Sequence, residues 1–314
     1  MVQRAQYRRL EKLSSRVGIG RPVGKRFSKI LTRLVIGLSA VEKPWRRVDT
    51  RLRVAEGLLS HQRVETRYGP LIFVTTHPQA LQYPREFATA EPETLAWIDA
   101  FETPCRFWDI GANIGVFSIY AGLRAGIEVR AFEPAAASYG ALCRNIEANQ
   151  LGDRVQAYCV AISNRTELGR LNLSGTNAGS VFNAFESTED YFGNEIAVVF
   201  RQGVVGFSID GLRRLFGLPA PNYLKIDVDS IEERILAGAS ETLRDPGLRS
   251  VLVELEEGDT ARNERLIAAL KAAGLFLSLR SKGGRGGGVN GIFTRATAWR
   301  SVCGPCSTVA STLS

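Results

Sequence analysis

Histidine is nearly absent: His61 and His77 are the only two in 314 residues. Both precede the first core strand read below, so the side chain most often used as a general base near neutral pH is missing from the core. Cysteine is sparse as well. Five Cys in a chain of this length do not make a disulfide scaffold. Cys105, Cys143 and Cys159 fall in or beside apolar segments, where a thiol serves as a small hydrophobe. Cys303-Gly-Pro-Cys306 has the spacing of a redox pair, but it sits in a Ser/Thr-rich tail without the strand-to-helix frame that tunes such thiols. A lone pair also falls short of the four ligands of structural zinc. Long apolar runs are missing too: the most apolar early window, residues 30–41, is too short to span a bilayer and contains Arg33. No uncharged apolar run follows the first basic residues, so no secretory signal is read and a cytoplasmic protein is expected. No internal repeat is visible.

G-K-[ST] does not occur, and the glycines of Gly111-Ala-Asn-Ile-Gly115 are spaced G-x-x-x-G and lack the G-x-G-x-x-G dinucleotide fingerprint. They lie in Phe107-Trp-Asp-Ile-Gly-Ala-Asn-Ile-Gly-Val-Phe-Ser118. Phe107 to Ile110 reads as a buried strand interrupted by Asp109, and Ile114, Phe117, Ile119 and Tyr120 continue on a helical face. Gly111 and Gly115 fall in the turn between, where the missing side chain lets a ligand approach the backbone. A carboxylate at the strand's end repels a phosphate and suits a cationic group. The next strand, Val129 to Phe132, runs into a second acid, Glu133, about where an acid grips ribose hydroxyls in doubly wound folds, roughly 20 residues beyond the glycines. A ligand with a ribose and a cationic, phosphate-free end fits both acids, and S-adenosylmethionine is such a molecule.

With these residues in place the sequence resembles the FkbM-type S-adenosylmethionine-dependent methyltransferases, from about Val64 to Arg295. The resemblance rests on Trp108-Asp-Ile-Gly-Ala-Asn-Ile-Gly115, Ala131-Phe-Glu-Pro134, Ala161-Ile-Ser-Asn164, Phe207-Ser-Ile-Asp-Gly-Leu212, Tyr223-Leu-Lys-Ile-Asp-Val-Asp-Ser-Ile-Glu232 and Val251-Leu-Val-Glu254. The first motif marks only the broad class I methyltransferase fold; the ordered set is more specific. One departure, Ser230 where the family usually has Gly, falls in the turn after the fourth strand. The resemblance implies an α/β fold with a doubly wound, mostly parallel, seven-stranded sheet. It also implies S-adenosyl-L-methionine held through Asp109, Gly111, Ala112, Asn113, Gly115, Glu133, Pro134 and Ala161. The implied activity is methyl transfer to a hydroxyl of a sugar, glycan or other small metabolite.

Three segments are expected: a basic, largely helical extension over 1–60, the methyltransferase domain over 61–300, and a tail over 301–314. The formal charge of +8 is uneven, because residues 1–47 hold 13 Lys or Arg and 2 acids, leaving the remainder at −3. Within the extension Ile30, Leu31, Leu34, Val35, Leu38 and Val41 recur at helical spacing with Lys29 and Arg33 between them. That pattern fits a helix packing its apolar side on the domain, and it fits one lying on an anionic membrane surface. An Arg-rich, acid-poor start also resembles a transit peptide. Nucleic-acid contact is disfavoured by the shortage of stacking aromatics, Tyr7 and Phe27 alone preceding Trp45.

Downstream, Val64 to Val74 reads as a hairpin around Tyr68-Gly-Pro70, and Pro92 opens a helix running to Phe101 with Leu95, Trp97 and Ile98 inward. Pro134 opens another helix that Gly152 stops. Val155 to Ile162 reads as the third core strand, and Leu168 to Leu173 and Ile196 to Phe207 as strands flanking a polar loop, residues 173–180, suited to a lid or substrate wall. Tyr223 to Val228 and Ser250 to Leu255 read as the fourth and fifth strands, and Ile231, Ile235 and Ala239 as one helix face. Gly283 to Gly288 reads as a spacer.

Without a core histidine, a carboxylate is the candidate base, drawn from Asp227, Asp229, Glu232 and Glu254. Asp227 leads, followed by Asp229; alternation along Lys225-Ile-Asp227-Val-Asp229 places these three polar residues on one side. An ion pair with Lys225 is the structural alternative for Asp227. Glu254 acts on the substrate in this reading, or joins Asp227 on a divalent ion, for which no third oxygen ligand is evident. Asn113 reads as a contact to the methionyl part or as a helix cap. Two other function classes stay open: a nicotinamide-dependent oxidoreductase, which Asp109 and the missing fingerprint oppose, and a non-catalytic membrane or nucleic-acid adaptor using the basic arm.

Overall fold

The computed structural model describes residues 23–181, 183–187, 197–228, 231–256, 260–281 and 288–295. Asp229, Ser230, the start of the basic arm and the Cys303/Cys306 pair lie outside them. The chain divides between Ser60 and His61 into two compact units.

The first unit contributes α1 (Val23–Ser39) and α2 (Pro44–Gly57), with Pro44 in the first turn of α2 where its missing N–H is harmless. They meet where Arg51 Nε donates to Ser39 Oγ at 2.7 Å.

The second unit opens with the expected hairpin, β1 (Ser60–Thr66) and β2 (Gly69–Thr75). A single 3-10 turn (Pro78–Leu81) leads into α3 (Gln82–Arg85), and α4 (Pro92–Asp99) follows. The doubly wound core starts with β3 (Cys105–Ile110), α5 (Val116–Leu123), β4 (Ile127–Phe132), α6 (Ala136–Ala148) and β5 (Val155–Tyr158). Four strands then form a separate sheet: β6 (Ala161–Ser163), β7 (Glu167–Leu173), β8 (Ala184–Phe185) and β9 (Phe200–Ser208). The core resumes with α7 (Ile209–Phe216), β10 (Tyr223–Ile226), α8 (Glu232–Ala237), α9 (Ser240–Arg244) and β11 (Ser250–Glu256). It closes with α10 (Thr260–Ala272), β12 (Leu275–Arg280) and β13 (Gly288–Arg295).

The seven-stranded sheet has the order β12-β13-β11-β10-β3-β4-β5. All its pairings are parallel except those of β13, which runs antiparallel to both neighbours. From β3 the chain winds outward through β4 and β5, then returns to lay β10 against the other side of β3. The order therefore reverses between β3 and β10, the switch point where open α/β sheets leave a crevice at the carboxyl ends of their strands. Alternation along β3 divides the core. Phe107 faces one hydrophobic cluster with Leu71, Ile119 and Leu252, while Trp108 and Ile110 face another with Phe132, Leu224 and Val253. Burying a large side chain such as Phe107 or Trp108 completely contributes on the order of 2–3 kcal/mol.

Among the expected boundaries that move, three have a plain physical reason. The strand read over Val155 to Ile162 breaks, because β4 offers partners only as far as Phe132, opposite Tyr158, and Ala161 to Ser163 pair instead with β9. The fourth strand stops at Ile226 because its partner β3 ends at Ile110, where Gly111 turns the backbone away with φ +82°. The face of Ile231, Ile235 and Ala239 is buried as read, but it is divided between α8 and α9. At that break Gly238 lies so close to the Ser163 carbonyl that a Cβ would fall 2.4 Å from its oxygen. The buried Asp210 carboxylate accepts the N–H groups of Glu241 and Thr242 at 2.8 and 2.9 Å, starting α9.

No helix among the described residues is long and apolar enough to cross a membrane.

Candidate active site

The turn after β3 is held by its own backbone. Gly111 N and Ala112 N both donate to Phe132 O at 2.9 and 3.1 Å, and Gly115 N donates to Ala112 O at 2.8 Å. Asn113 N donates to Glu133 Oε2 at 2.8 Å. These N–H groups are the ones a phosphate-binding loop would present to its anion, and here each already has an acceptor. The glycines are required by geometry. A Cβ on Gly111 would lie 1.9 Å from the Asp227 carbonyl oxygen, and one on Gly115 would lie 2.3 Å from Leu142 Cδ1. Gly111 and Gly115 have φ of +82° and +89°, where L side chains are strained, and Asn113 itself is left-handed at φ +50°.

Two buried acceptors in this turn have no hydrogen-bond partner: Asp109 Oδ1 and Asn113 Oδ1. Asp109 is 1% exposed, and its other oxygen accepts from Ser118 Oγ at 2.6 Å. Burial pushes the Asp109 carboxyl above the usual range, against the pull of the Lys225 ammonium and the Ser118 hydrogen bond. Glu133 is buried at the end of β4. Its Oε1 accepts from Ala135 N at 2.8 Å while Oε2 takes Asn113 N, so one lone pair of each oxygen is already committed to the loop. The Pro134 carbonyl accepts from Gln202 Nε2 at 2.6 Å. Ala112 is buried beside Ile114, whereas Ala161 is buried in the opposite cluster, at the start of the second sheet.

Register places Lys225 beside Asp109 on adjacent strands, and both side chains occupy the face that α5 covers. Lys225 is buried within a fully buried strand, pairs through Nζ with Asp227 Oδ2, and lies 4.9 Å from the centroid of the Phe117 ring. Burial alone would discharge this amine. The carboxylates of Asp227, Asp109 and Glu91 outweigh that cost and push its pKa upward, so it stays an ammonium. Asp227 keeps contact with solvent, its side chain being 30% exposed against 1% for Lys225. Glu254 follows Val253, the register partner of Ile226, just as Asp227 follows Ile226, and it stands opposite Asn290 of β13. Asp109, Asp227 and Glu254 thus come from three neighbouring strands at the same edge of the sheet.

Three residues of this edge escape sequence reading. Glu91, at the start of α4, accepts from Thr94 Oγ1 at 2.9 Å and Asn290 Nδ2 at 3.0 Å, and burial pushes its pKa up against the attraction of Lys225. Asn290 also donates to Glu93 Oε1 at 2.9 Å. Tyr83 of α3 accepts from Asn113 Nδ2 at 2.9 Å and donates to Gly179 O at 3.2 Å. It thereby joins the glycine turn to the polar loop between β7 and β8. Burial pushes its phenol up to about 12, with the nearby charges of Asp227 and Glu133 adding to the shift. Gly179 N in turn donates to Ser138 Oγ of α6 at 3.2 Å. The only signal for these contacts was the tyrosine's polar handle on an apolar body, which has no sequence address. Among the described residues, no group of three or more His, Cys, Asp and Glu is arranged to hold a metal ion.

The family model of the methyltransferase FkbM domain matches residues 109–276. The chain is 29% identical over 190 residues to the 31-O-demethyl-FK506 methyltransferase FkbM of Streptomyces tacrolimicus, covering 53% of this chain and 71% of that protein. Among solved structures, it resembles the methyltransferase FkbM of Methylobacillus flagellatus KT with a TM-score of 0.44 at 16% identity, covering 79% of this chain and 60% of that one. It resembles the precorrin-6y C5,15-methyltransferase of Geobacter metallireducens GS-15 with a TM-score of 0.39 at 14% identity, over 65% and 86% of the two chains.

Proposed function

Because this chain belongs to the FkbM methyltransferase family, we propose that it moves a methyl group from S-adenosyl-L-methionine to a hydroxyl of a sugar, glycan or other small metabolite. The observation that carries the choice of cofactor is the state of the turn after β3. The N–H groups of Gly111, Ala112, Asn113 and Gly115 are consumed internally, while the buried acceptors Asp109 Oδ1 and Asn113 Oδ1 are left over. Spare acceptors suit a donor-bearing cation and reject a pyrophosphate.

In this reading Asp109 and Asn113 receive the amino acid end of the cofactor, the bare backbone of Gly111 and Gly115 admits it closely, and Glu133 at the end of β4 meets the ribose hydroxyls. When bound, the cofactor supplies a methyl carbon on a cationic sulfur, whose charge disappears on transfer. No new ion has to be stabilised, so the chain's main contribution is near-attack positioning, which supplies about 7–11 kcal/mol in favourable cases. An alcohol acceptor must also lose a proton. Asp227 is the base: its Oδ2 is tied to the buried Lys225 ammonium, and the side chain reaches the sheet edge partly open to solvent. Lys225 keeps that carboxylate oriented as the hydroxyl proton arrives. Glu254, one strand over, contacts the acceptor.

Parallel calorimetric titrations with S-adenosylmethionine, S-adenosylhomocysteine and NAD test the cofactor; binding of the first two and not the third is expected, and NAD alone would overturn the reading. Turnover is followed as S-adenosylhomocysteine release against a panel of hydroxylated sugars and metabolites. Asp227→Asn should keep cofactor affinity and lower kcat by about 10²–10⁴-fold. An unchanged kcat removes Asp227 from the chemistry.

A further inference from the structure

The helical unit carries an apolar surface that its own packing leaves open. Along α1, Phe27, Ile30, Leu31, Leu34 and Leu38 recur at steps of three and four residues, which puts them on one side of the helix, with Lys29 and Arg33 on the other. α2 covers a different side of α1. The contact runs through the buried Ser39, to which Arg51 donates, and Val35 is half-buried beside it. All five residues of the stripe remain exposed, Leu38 to 71%.

α2 repeats the arrangement. Trp45, Val48 and Leu52 form an exposed apolar stripe, while Arg47, Thr50, Arg51 and Val54 are the half-buried positions. Two helices that meet through polar groups and turn both apolar stripes outward invert the arrangement expected of a helix pair stable in water.

We propose that this unit docks the enzyme on an anionic phospholipid surface. The stripes of α1 and α2 enter the boundary between headgroups and acyl chains, and the cations around them meet the headgroup phosphates. Charge complementarity selects this occupant: residues 23–57 hold 9 Lys or Arg against 3 acids. Trp45 adds a ring of the kind that settles at headgroup depth, with the Arg46 guanidinium 4.7 Å from its centroid. Since no described helix can cross a bilayer, the contact lies in the plane of the surface. The inference is independent of the acceptor and of the methyl-transfer chemistry.

The test is co-sedimentation of the full chain with vesicles of phosphatidylcholine alone and of phosphatidylcholine mixed with phosphatidylglycerol. Binding should be about tenfold or more tighter to the mixed vesicles and should weaken as salt rises. Leu34→Glu/Leu38→Glu should weaken it by about tenfold or more with an unchanged circular dichroism spectrum. Lys29→Gln/Arg33→Gln should narrow the difference between the two vesicle types. Failure to sediment with either vesicle overturns the proposal, as does binding that the leucine variant leaves intact. A self-association in sedimentation velocity that this variant abolishes, with no vesicle binding, assigns the stripes to a second copy of the chain and overturns it equally.

Discussion

At the scale of single residues, the site depends on a buried ammonium shared among carboxylates. Lys225 faces Asp227, Asp109 and Glu91, and neither Asp109 nor Lys225 reaches solvent. Lys225→Met leaves those carboxylates without their counter-charge, so it should cost about 3–5 kcal/mol in urea unfolding. Adding Asp109→Asn to that variant should recover part of the loss, which a pair of independent sites would not do. Asp109→Ala should weaken S-adenosylmethionine binding by about 10–100-fold in calorimetry, the range of one charge-assisted hydrogen bond. Tyr83 gives a pH signature. Its folded phenol holds its proton up to about 12, against 10.0 as the ordinary value. Between these values the unfolded chain releases a proton that the folded chain keeps, so stability falls as pH rises through that window. Tyr83→Phe should show a shallower fall across the same window in thermal unfolding. The acid at the end of β3 was legible from its place in the motif. Glu91 and Tyr83 were not, because nothing local in their segments marks a partner 30 residues away or farther.

At the scale of elements, α6 completes the edge of β2 with side chains. Asn145 Oδ1 accepts from Val74 N at 2.7 Å, and Asn149 bonds both Ile72 N and Ile72 O at 2.8 and 2.7 Å. Two asparagines one helical turn apart thus do what a neighbouring strand would do, and the expected cap hairpin docks through them. Asn145 Nδ2 also donates to Ile114 O at 2.8 Å, so the same side chain steadies the glycine turn. Asn145→Ala strands a buried N–H and a buried carbonyl. It should cost about 2–4 kcal/mol in unfolding and weaken cofactor binding as well, a coupling that calorimetry checks. Asn149 falls within the helix that the sequence opens at Pro134 and stops at Gly152. That its amide would pair with a strand depended on where the hairpin came to rest.

At the scale of the whole molecule, both hydrophobic clusters of the second unit are built from residues 64–293. A chain starting at Leu59 should therefore retain S-adenosylmethionine affinity within about twofold in calorimetry, while losing vesicle binding. If cofactor affinity falls with the arm, the two units do not fold and act separately. The same division explains the charge. A basic helical unit precedes a domain that is slightly acidic overall, and the pI of about 9.4 describes neither.

The order of the core was determined by the sequence alone. Apolar strands ending in Asp109 and Glu133, helices at 3.6-residue spacing between them and glycines at the turns favour a parallel sheet, and the family resemblance implied that it is doubly wound. Local chemistry suffices there because strand period, helix period and turn residues all act within a few positions. Only the tertiary structure decided which groups share a crevice. It set Lys225 against Asp109 through strand register, brought Tyr83 to Asn113 and Gly179, and moved Ala161 into a second sheet. Those outcomes depend on pairing between distant segments, and the energy of a buried charge or hydrogen bond is set by the partner that packing supplies.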